Sequence, residues 1–325
     1  MTLQSKKLFS ISLKIAIVVF AFWFIYTKLT SNNDLKKFIA LLETLPKSEI
    51  WYVVSFVMIL MLLNWGIEAI KWKRLIKPVE SISLWKAIES VFCGLTLAIF
   101  TPNRVGEYGG RVFFLSPKRR IVGVVAMAVG NIRQMVVTNV FGAIALSIFI
   151  FKFNLLDYRL CLAVFAITAV FCLFFLLFYF NIKWLNTLLL SIKYTRKYKK
   201  FYTILARYKK IELFKILLFC LARYLVFSTE YFIMFYWLVP GISYLNILML
   251  VSILFFVQSS LPSLDLLDIG IRSVTALFFF KFVTNQSAAV VACIASIWFI
   301  NIIIPAILGA YFVFKLNFFG SNKHS

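Results

Sequence analysis

Long apolar stretches recur along the chain at roughly 8–27, 50–70, 121–150, 158–180, 213–238 and 287–315. Each is near or above the ~20 residues that an α-helix needs to cross a hydrocarbon core, so each predicts a membrane-spanning helix. Two further apolar regions, 84–115 and 245–283, are interrupted by proline, glycine and charged residues. Each of these predicts two short half-helices around a break. The expected fold class is therefore all-α: a polytopic integral membrane protein of about six full spans plus two broken or re-entrant hairpins, in a single transmembrane domain over 1–325.

Composition agrees with this pattern. Hydrophobic residues make up 62% of the chain and charged residues only 14%, which is too little polar surface to cover a water-soluble globule of this size. The formal net charge of +23 raises nucleic acid as a partner. The basic residues, however, flank apolar runs and do not interleave with aromatics on a polar domain, so no nucleic-acid partner is expected. Cys93, Cys161, Cys172, Cys220 and Cys293 lie in or beside apolar runs without metal-ligand spacing, and the lone His324 sits in the tail. Neither a disulfide framework, a metal site nor a cofactor is expected.

The basic residues read instead as topology determinants. The stretch 183–215 carries ten of them against one acid, Glu212, whereas 239–244 carries no charge, which puts the first in the cytoplasm and the second outside. Tyrosines interspersed in 183–215 also suit an amphipathic surface segment attracted to anionic lipid, and a simple topology anchor fits equally well. Lys6 with Lys7, Lys71 to Lys77, and Lys118 to Arg120 join the cytoplasmic side only if 84–115 enters and leaves there. By the same reasoning 245–283 enters from outside, and both termini are cytoplasmic. Hairpins approaching from opposite faces are the layout of inverted-repeat transporters, which place a site near the midplane. The loop 28–49 fits least well, since it lies outside with four lysines. The first apolar run follows Lys6-Lys7 as a secretory signal would, but lacks a small-residue cleavage site and is expected to be retained as a helix.

Candidate chemistry concentrates in the breaks. The first contains Pro102-x4-Glu107-x3-Arg111 and the second Pro262-x5-Asp268-x3-Arg272. In both, an acid four residues before an arginine pairs with it along one helical face, near a half-helix start that favours anions. Charges at the bilayer centre cost ~2.5–3.5 kcal/mol each on insertion scales, so Arg104, Glu107 and Arg111 belong there only if paired or facing a wet cavity. Arginine offers a planar fork matched to phosphate oxygens, and Gly106, Gly109 and Gly110 let backbone approach a ligand. Two blander readings stay open: a cytoplasmic loop with a solvated Glu107–Arg111 pair, and Gly106-x-x-x-Gly110 as a helix-packing motif. Asn131, Arg133 and Gln134, near the middle of the third span, are expected to line the cavity. Arg223 and Glu230, two turns apart, either pair through a neighbouring helix or face the site, with snorkelling of Arg223 an alternative. Asn64 and Glu68 are ambiguous in the same way.

The run Thr101-Pro102-Asn103-Arg104-Val105-Gly106-Glu107-Tyr108-Gly109-Gly110-Arg111 resembles the flippase-like family typified by the transmembrane region of lysylphosphatidylglycerol synthase. Its signature is a Pro-x-Arg-x-Gly-Glu core with a following Arg. A second family signature, a proline break leading to Gly-x-x-Glu, is matched by Gly270-Ile271-Arg272 with Ser273 where an acid is usual, and Asp268 stands near it. The resemblance implies a non-enzymatic, flippase-like protein of the bacterial inner membrane. It would bind phospholipids or lipid-linked intermediates at a midplane site, alongside a separately encoded lipid-modifying enzyme as partner. Arg104, Glu107, Arg111, Arg133, Asp268 and Arg272 would contact substrate, and Pro102, Gly106, Gly110, Pro262 and Gly270 would shape the backbone around it. The alternative is an accessory subunit or a membrane enzyme of lipid or lipid-linked sugar modification.

Overall fold

The computed structural model describes residues 11–20, 22, 23, 26, 27, 46–99, 101, 104–181, 187, 191, 208, 210–260 and 268–316. Among the described residues all regular structure is helical. In chain order the helices are α1 (Ile11–Phe20), α2 (Lys47–Ile76), α3 (Leu84–Ala98), α4 (Val105–Val112), α5 (Arg120–Lys152) and α6 (Tyr158–Phe180). They continue with α7 (Lys210–Leu238), α8 (Tyr244–Ser260), α9 (Asp268–Phe280), α10 (Ser287–Trp298) and α11 (Ile304–Val313). Four stretches are long and apolar enough to cross a membrane: Lys47–Ile76, Pro117–Lys152, Tyr158–Phe180 and Ser287–Val313. These coincide with four of the six expected spans, and α7 covers the fifth. Most of the basic segment 183–215 lies outside the described residues, and of the run 8–27 the described part is 11–20 with 22, 23, 26 and 27.

Local sequence sets the ends of these helices. Pro78 follows α2 and prevents its continuation, and the Ser83 hydroxyl caps α3 by accepting from the Lys86 amide at 3.1 Å. Pro117 opens the short turn that leads into α5. Between α10 and α11 the ladder widens into a π-helical segment, Phe299–Ile303. Pro305 has no N–H to offer the carbonyl of Asn301, and a shift of register accommodates that loss.

Burial ranks the helices. The membrane-length window of Ser287–Val313 is 83% buried, whereas that of Tyr158–Phe180 is 6% buried, so α10 and α11 form the centre and α6 the outer wall. The Thr96 hydroxyl on α3 donates to the Ala306 carbonyl on α11 at 2.7 Å. α1 docks at the same place, through Lys14 Nζ donating to the Phe314 carbonyl at 2.8 Å.

The two broken regions are attached at opposite ends of α5. Ser116, just after α4, donates from its backbone N–H (3.0 Å) and its hydroxyl (2.7 Å) to Glu80, just before α3, so the first hairpin opens and closes at one point, beside the N-terminus of α5. At the other end, Lys152 Nζ donates to Asn246 Oδ1 at 2.5 Å as α8 begins. Phe282, just after α9, packs its ring 5.1 Å from those of both Phe149 and Phe153. The second hairpin therefore also starts and ends at one place. Helix α5 has 33 residues, or about 50 Å at ~1.5 Å per residue, and this length separates the two points of attachment.

Candidate functional site

Described residues that flank the breaks of both hairpins, Arg104, Glu107 and Tyr108 of the first and Gln258 to Ser260 and Arg272 of the second, lie beside the middle of α5. There they enclose a cavity of about 650 Å³ that α2 and α7 complete. Asn131, Gln134, Met135 and Thr138 of α5 line it, a spacing that puts all four on one helical stripe. Asn131 Nδ2 donates to the Tyr108 hydroxyl on α4 at 2.7 Å, and the Ser259 hydroxyl on α8 donates to Asn139 Oδ1 at 2.7 Å. Each hairpin is thus fastened to α5 close to its break.

The first hairpin gets its shape there from glycine. A methyl group added to Gly110 would overlap the backbone of Gly94 on α3, and one on Gly106 would overlap the Leu97 carbonyl. Both glycines face α3, so the close approach they permit is of helix to helix. Gly270 on α9 has open space around it. The Gly106 amide donates to the Thr101 hydroxyl at 2.8 Å, which caps α4. Ahead of it, Arg104 takes a left-handed backbone (φ 56°), a conformation costing a non-glycine residue roughly 1–2 kcal/mol. Such strain persists only where the surroundings hold it, and here it turns the Arg104 side chain towards the cavity.

From Arg104 a chain of opposite charges runs inward. Arg104 Nε donates to Glu107 Oε2 at 2.9 Å. Arg111, one turn further on, bridges two carboxylates: Nη2 pairs with Glu107 Oε1, and Nη1 donates to Glu68 Oε1 on α2 at 2.7 Å. The other Glu68 oxygen receives Lys71 Nζ at 2.5 Å and Arg223 Nη1 of α7. Arg223 Nε also donates to Asn64 Oδ1 at 2.9 Å, and its guanidinium lies 5.1 Å from the centre of the Trp65 ring. Asn64, Glu68 and Lys71 follow a helical spacing of four and three, so α2 presents all three on one face.

Among the described side chains of the site, cations outnumber carboxylates. Lys71, Arg104, Arg223 and Arg272 line the cavity with Arg111 behind them, against the two carboxylates of Glu68 and Glu107. Both carboxylates are shared between cations, Glu107 between Arg104 and Arg111 and Glu68 between Arg111, Lys71 and Arg223. Arg104 is the most open of the network, with a third of its side chain exposed, while the Arg111 and Glu68 side chains are 3% exposed. Burial of Glu107 and Arg111 excludes the solvated loop pair.

Arg104, Glu107 and Arg272 therefore lie on the cavity, and Arg111 directly behind it. Arg272 also donates to the Tyr231 hydroxyl at 3.2 Å. Arg133 is elsewhere. It is fully buried, with its guanidinium 5.8 Å from the Tyr179 ring centre and 5.5 Å from that of Tyr208. It lies well around the helix from the stripe of Asn131 and Gln134, so it cannot share their cavity. Asp268 opens α9, but its side chain, like all of Pro102 and Pro262, lies outside the described residues.

The hub of the network is Glu68, which joins Arg111, Lys71 and Arg223. Sequence alone leaves Glu68 ambiguous between the site and the cytoplasmic surface, counts Lys71 with the cytoplasmic basic residues, and leaves Arg223 open between pairing with Glu230, facing the site and snorkelling. In the fold Arg223 reaches Glu68, and Glu230 accepts instead from Asn301. The Asn64, Glu68, Lys71 spacing was the available signal. Comparison of the chain with protein-family models, with curated proteins and with solved structures finds no match, which leaves the charge geometry to carry the functional reading.

Proposed function

We propose that this chain is a flippase-like integral membrane protein that binds phospholipid or lipid-linked headgroups at the cavity between its two hairpins and moves them across the bilayer. The carrying observation is the cluster of Lys71, Arg104, Arg223 and Arg272 around a cavity set among helices apolar enough to cross a membrane. Charge in such a setting is retained where it is paired or faces a polar cavity on a substrate path. Arginine forks match phosphate oxygens, and Glu107, between Arg104 and Arg111, is poised to exchange an arginine for a headgroup amine.

The attachment of the hairpins at opposite ends of α5 supports a further element of this reading. In it, 84–115 and 245–283 are re-entrant, approach from opposite membrane faces and meet at the midplane, the arrangement of transporters with inverted repeats. The resemblance of Pro102 to Arg111 to the lysylphosphatidylglycerol synthase transmembrane family points to lipid as cargo and to a bacterial inner membrane as location. A separately encoded lipid-modifying enzyme is the natural partner, and the chain itself performs no covalent chemistry in this reading.

The test is movement of labelled phospholipids, aminoacylated and plain, across vesicles containing the purified protein, with Arg104→Ala as the comparison. Wild type is expected to move at least one class and the variant none. If wild type moves no lipid, the reading of an accessory subunit in lipid modification takes its place.

A further inference from the structure

One turn behind the cavity wall formed by Phe227, Glu230 of α7 is fully buried with Asn301 of the π-helical segment. Asn301 Nδ2 donates to Glu230 Oε2. The remaining oxygens of both side chains, Glu230 Oε1 and Asn301 Oδ1, have no hydrogen-bond partner among the described residues. Two orphan acceptors in a buried pair are costly, because each lost its water without replacement. A single proton on Oε1 removes the mismatch: the acid O–H then donates to Oδ1 while Nδ2 continues to donate to Oε2, and both groups are satisfied in one acid–amide ring.

Among the described residues no cation forms an ion pair with Glu230 to hold a carboxylate there instead. Arg223, two turns earlier on α7, is engaged by Glu68 and Asn64 of α2, and Lys71 of α2 is on Glu68 as well. From α10 comes Cys293, whose thiol donates to the Met234 carbonyl at 3.3 Å, and no charge. Helix α8 contributes no charged residue, and Arg133 of α5 lies over Tyr179 and Tyr208. Arg272 of α9 is directed to the hydroxyl of Tyr231 and to the cavity.

We propose that Glu230 and Asn301 form an intramembrane proton-binding site, with Glu230 resting as a neutral acid that releases and regains one proton during the working cycle. Release breaks the O–H bond at Oε1, leaves the electron pair on the carboxylate and passes the proton to water by way of the cavity. The use of this proton rests on the lipid-carrier reading: a proton bound with a singly charged phosphodiester anion makes the load electroneutral, so a pH gradient can drive it. The existence of the site does not depend on that reading.

Infrared spectroscopy of the reconstituted protein tests the site without any transported lipid. Wild type at about neutral pH is expected to give the carbonyl band of a neutral carboxylic acid. Glu230→Gln abolishes that band, and Asn301→Leu shifts it through loss of the amide partner. A wild type without the band, or a band untouched in Glu230→Gln, overturns the proposal. Lipid flux under an imposed pH gradient then tests coupling, with wild type responding to the gradient and Glu230→Gln losing that response. Flux that ignores the gradient in wild type overturns the coupling. Absence of all lipid flux overturns the carrier reading, and the infrared band still decides the proton site.

Discussion

Arg111 and Glu68, on helices α4 and α2, meet at 2.7 Å with both side chains almost wholly buried, and this contact joins the first hairpin to the body of the protein. Each residue has further partners. Arg111 holds Glu107 with its second nitrogen, and Glu68 holds Lys71 and Arg223 with its second oxygen. The pair thus sits at the middle of a network in which removing one member strands several others.

Glu68→Gln is therefore expected to be severely destabilising. It leaves Arg111, Lys71 and Arg223 with only Glu107 and Asn64 between them, and stranding a buried charge costs about 3–5 kcal/mol. The midpoint of thermal unfolding in detergent should fall sharply. A variant that unfolds like wild type would mean that water, not Glu68, balances these cations.

Position 104 separates strain from binding. Arg104→Ala and Arg104→Gly both remove the guanidinium and its bond to Glu107, but only alanine retains the left-handed backbone penalty at φ 56°. The glycine variant should be the more stable by about 1 kcal/mol, while both lose lipid movement. Equal unfolding midpoints would indicate that the backbone relaxes once the arginine is gone.

Glycines assigned one role by sequence divide into two by structure. Gly110→Ala drives a methyl group into the Gly94 backbone, which cannot yield without separating α3 from α4, and a loss of about 1–3 kcal/mol is expected. Gly270→Ala, in open space within α9, should be neutral or stabilising by up to about 0.5–1 kcal/mol. Lipid movement by the second variant is the informative readout: full activity shows that no ligand approaches the backbone there, and selective loss of activity in a stable protein restores that role to Gly270.

The sequence made the helices legible because their apolar runs are long, and it made the first hairpin legible because charge, proline and glycine coincide in one short stretch. Arg104, Glu107 and Arg111 followed from that coincidence. Glu68 did not, because a carboxylate three residues before a basic cluster looks the same whether it faces headgroups or a cavity. Only the packing of α2 against α4 and α7 distinguishes the two. Asn301 was hidden for another reason: one amide in an apolar run carries no pattern of its own, and its pairing with Glu230 spans 71 residues. Arg133 illustrates the opposite error. Three polar residues in sequence suggested one polar face, yet consecutive helical positions diverge by ~100°, and only Asn131 and Gln134 share the cavity stripe.

That divergence gives the last prediction. Arg133 is buried over the rings of Tyr179 and Tyr208, and its three guanidinium nitrogens have no hydrogen-bond partner among the described residues. Methionine has a similar length, keeps the contact with both rings and has no charge to desolvate. Replacing buried charge by well-packed apolar side chains is often neutral or stabilising, by up to about 1–4 kcal/mol. Arg133→Met should therefore unfold at the wild-type midpoint or above it, and should move lipid at the wild-type rate because Arg133 does not line the cavity. Thermal unfolding and the vesicle assay on one preparation decide the matter. A stable Arg133→Met that no longer moves lipid would return Arg133 to the substrate path and require a rearrangement of α5 during the cycle.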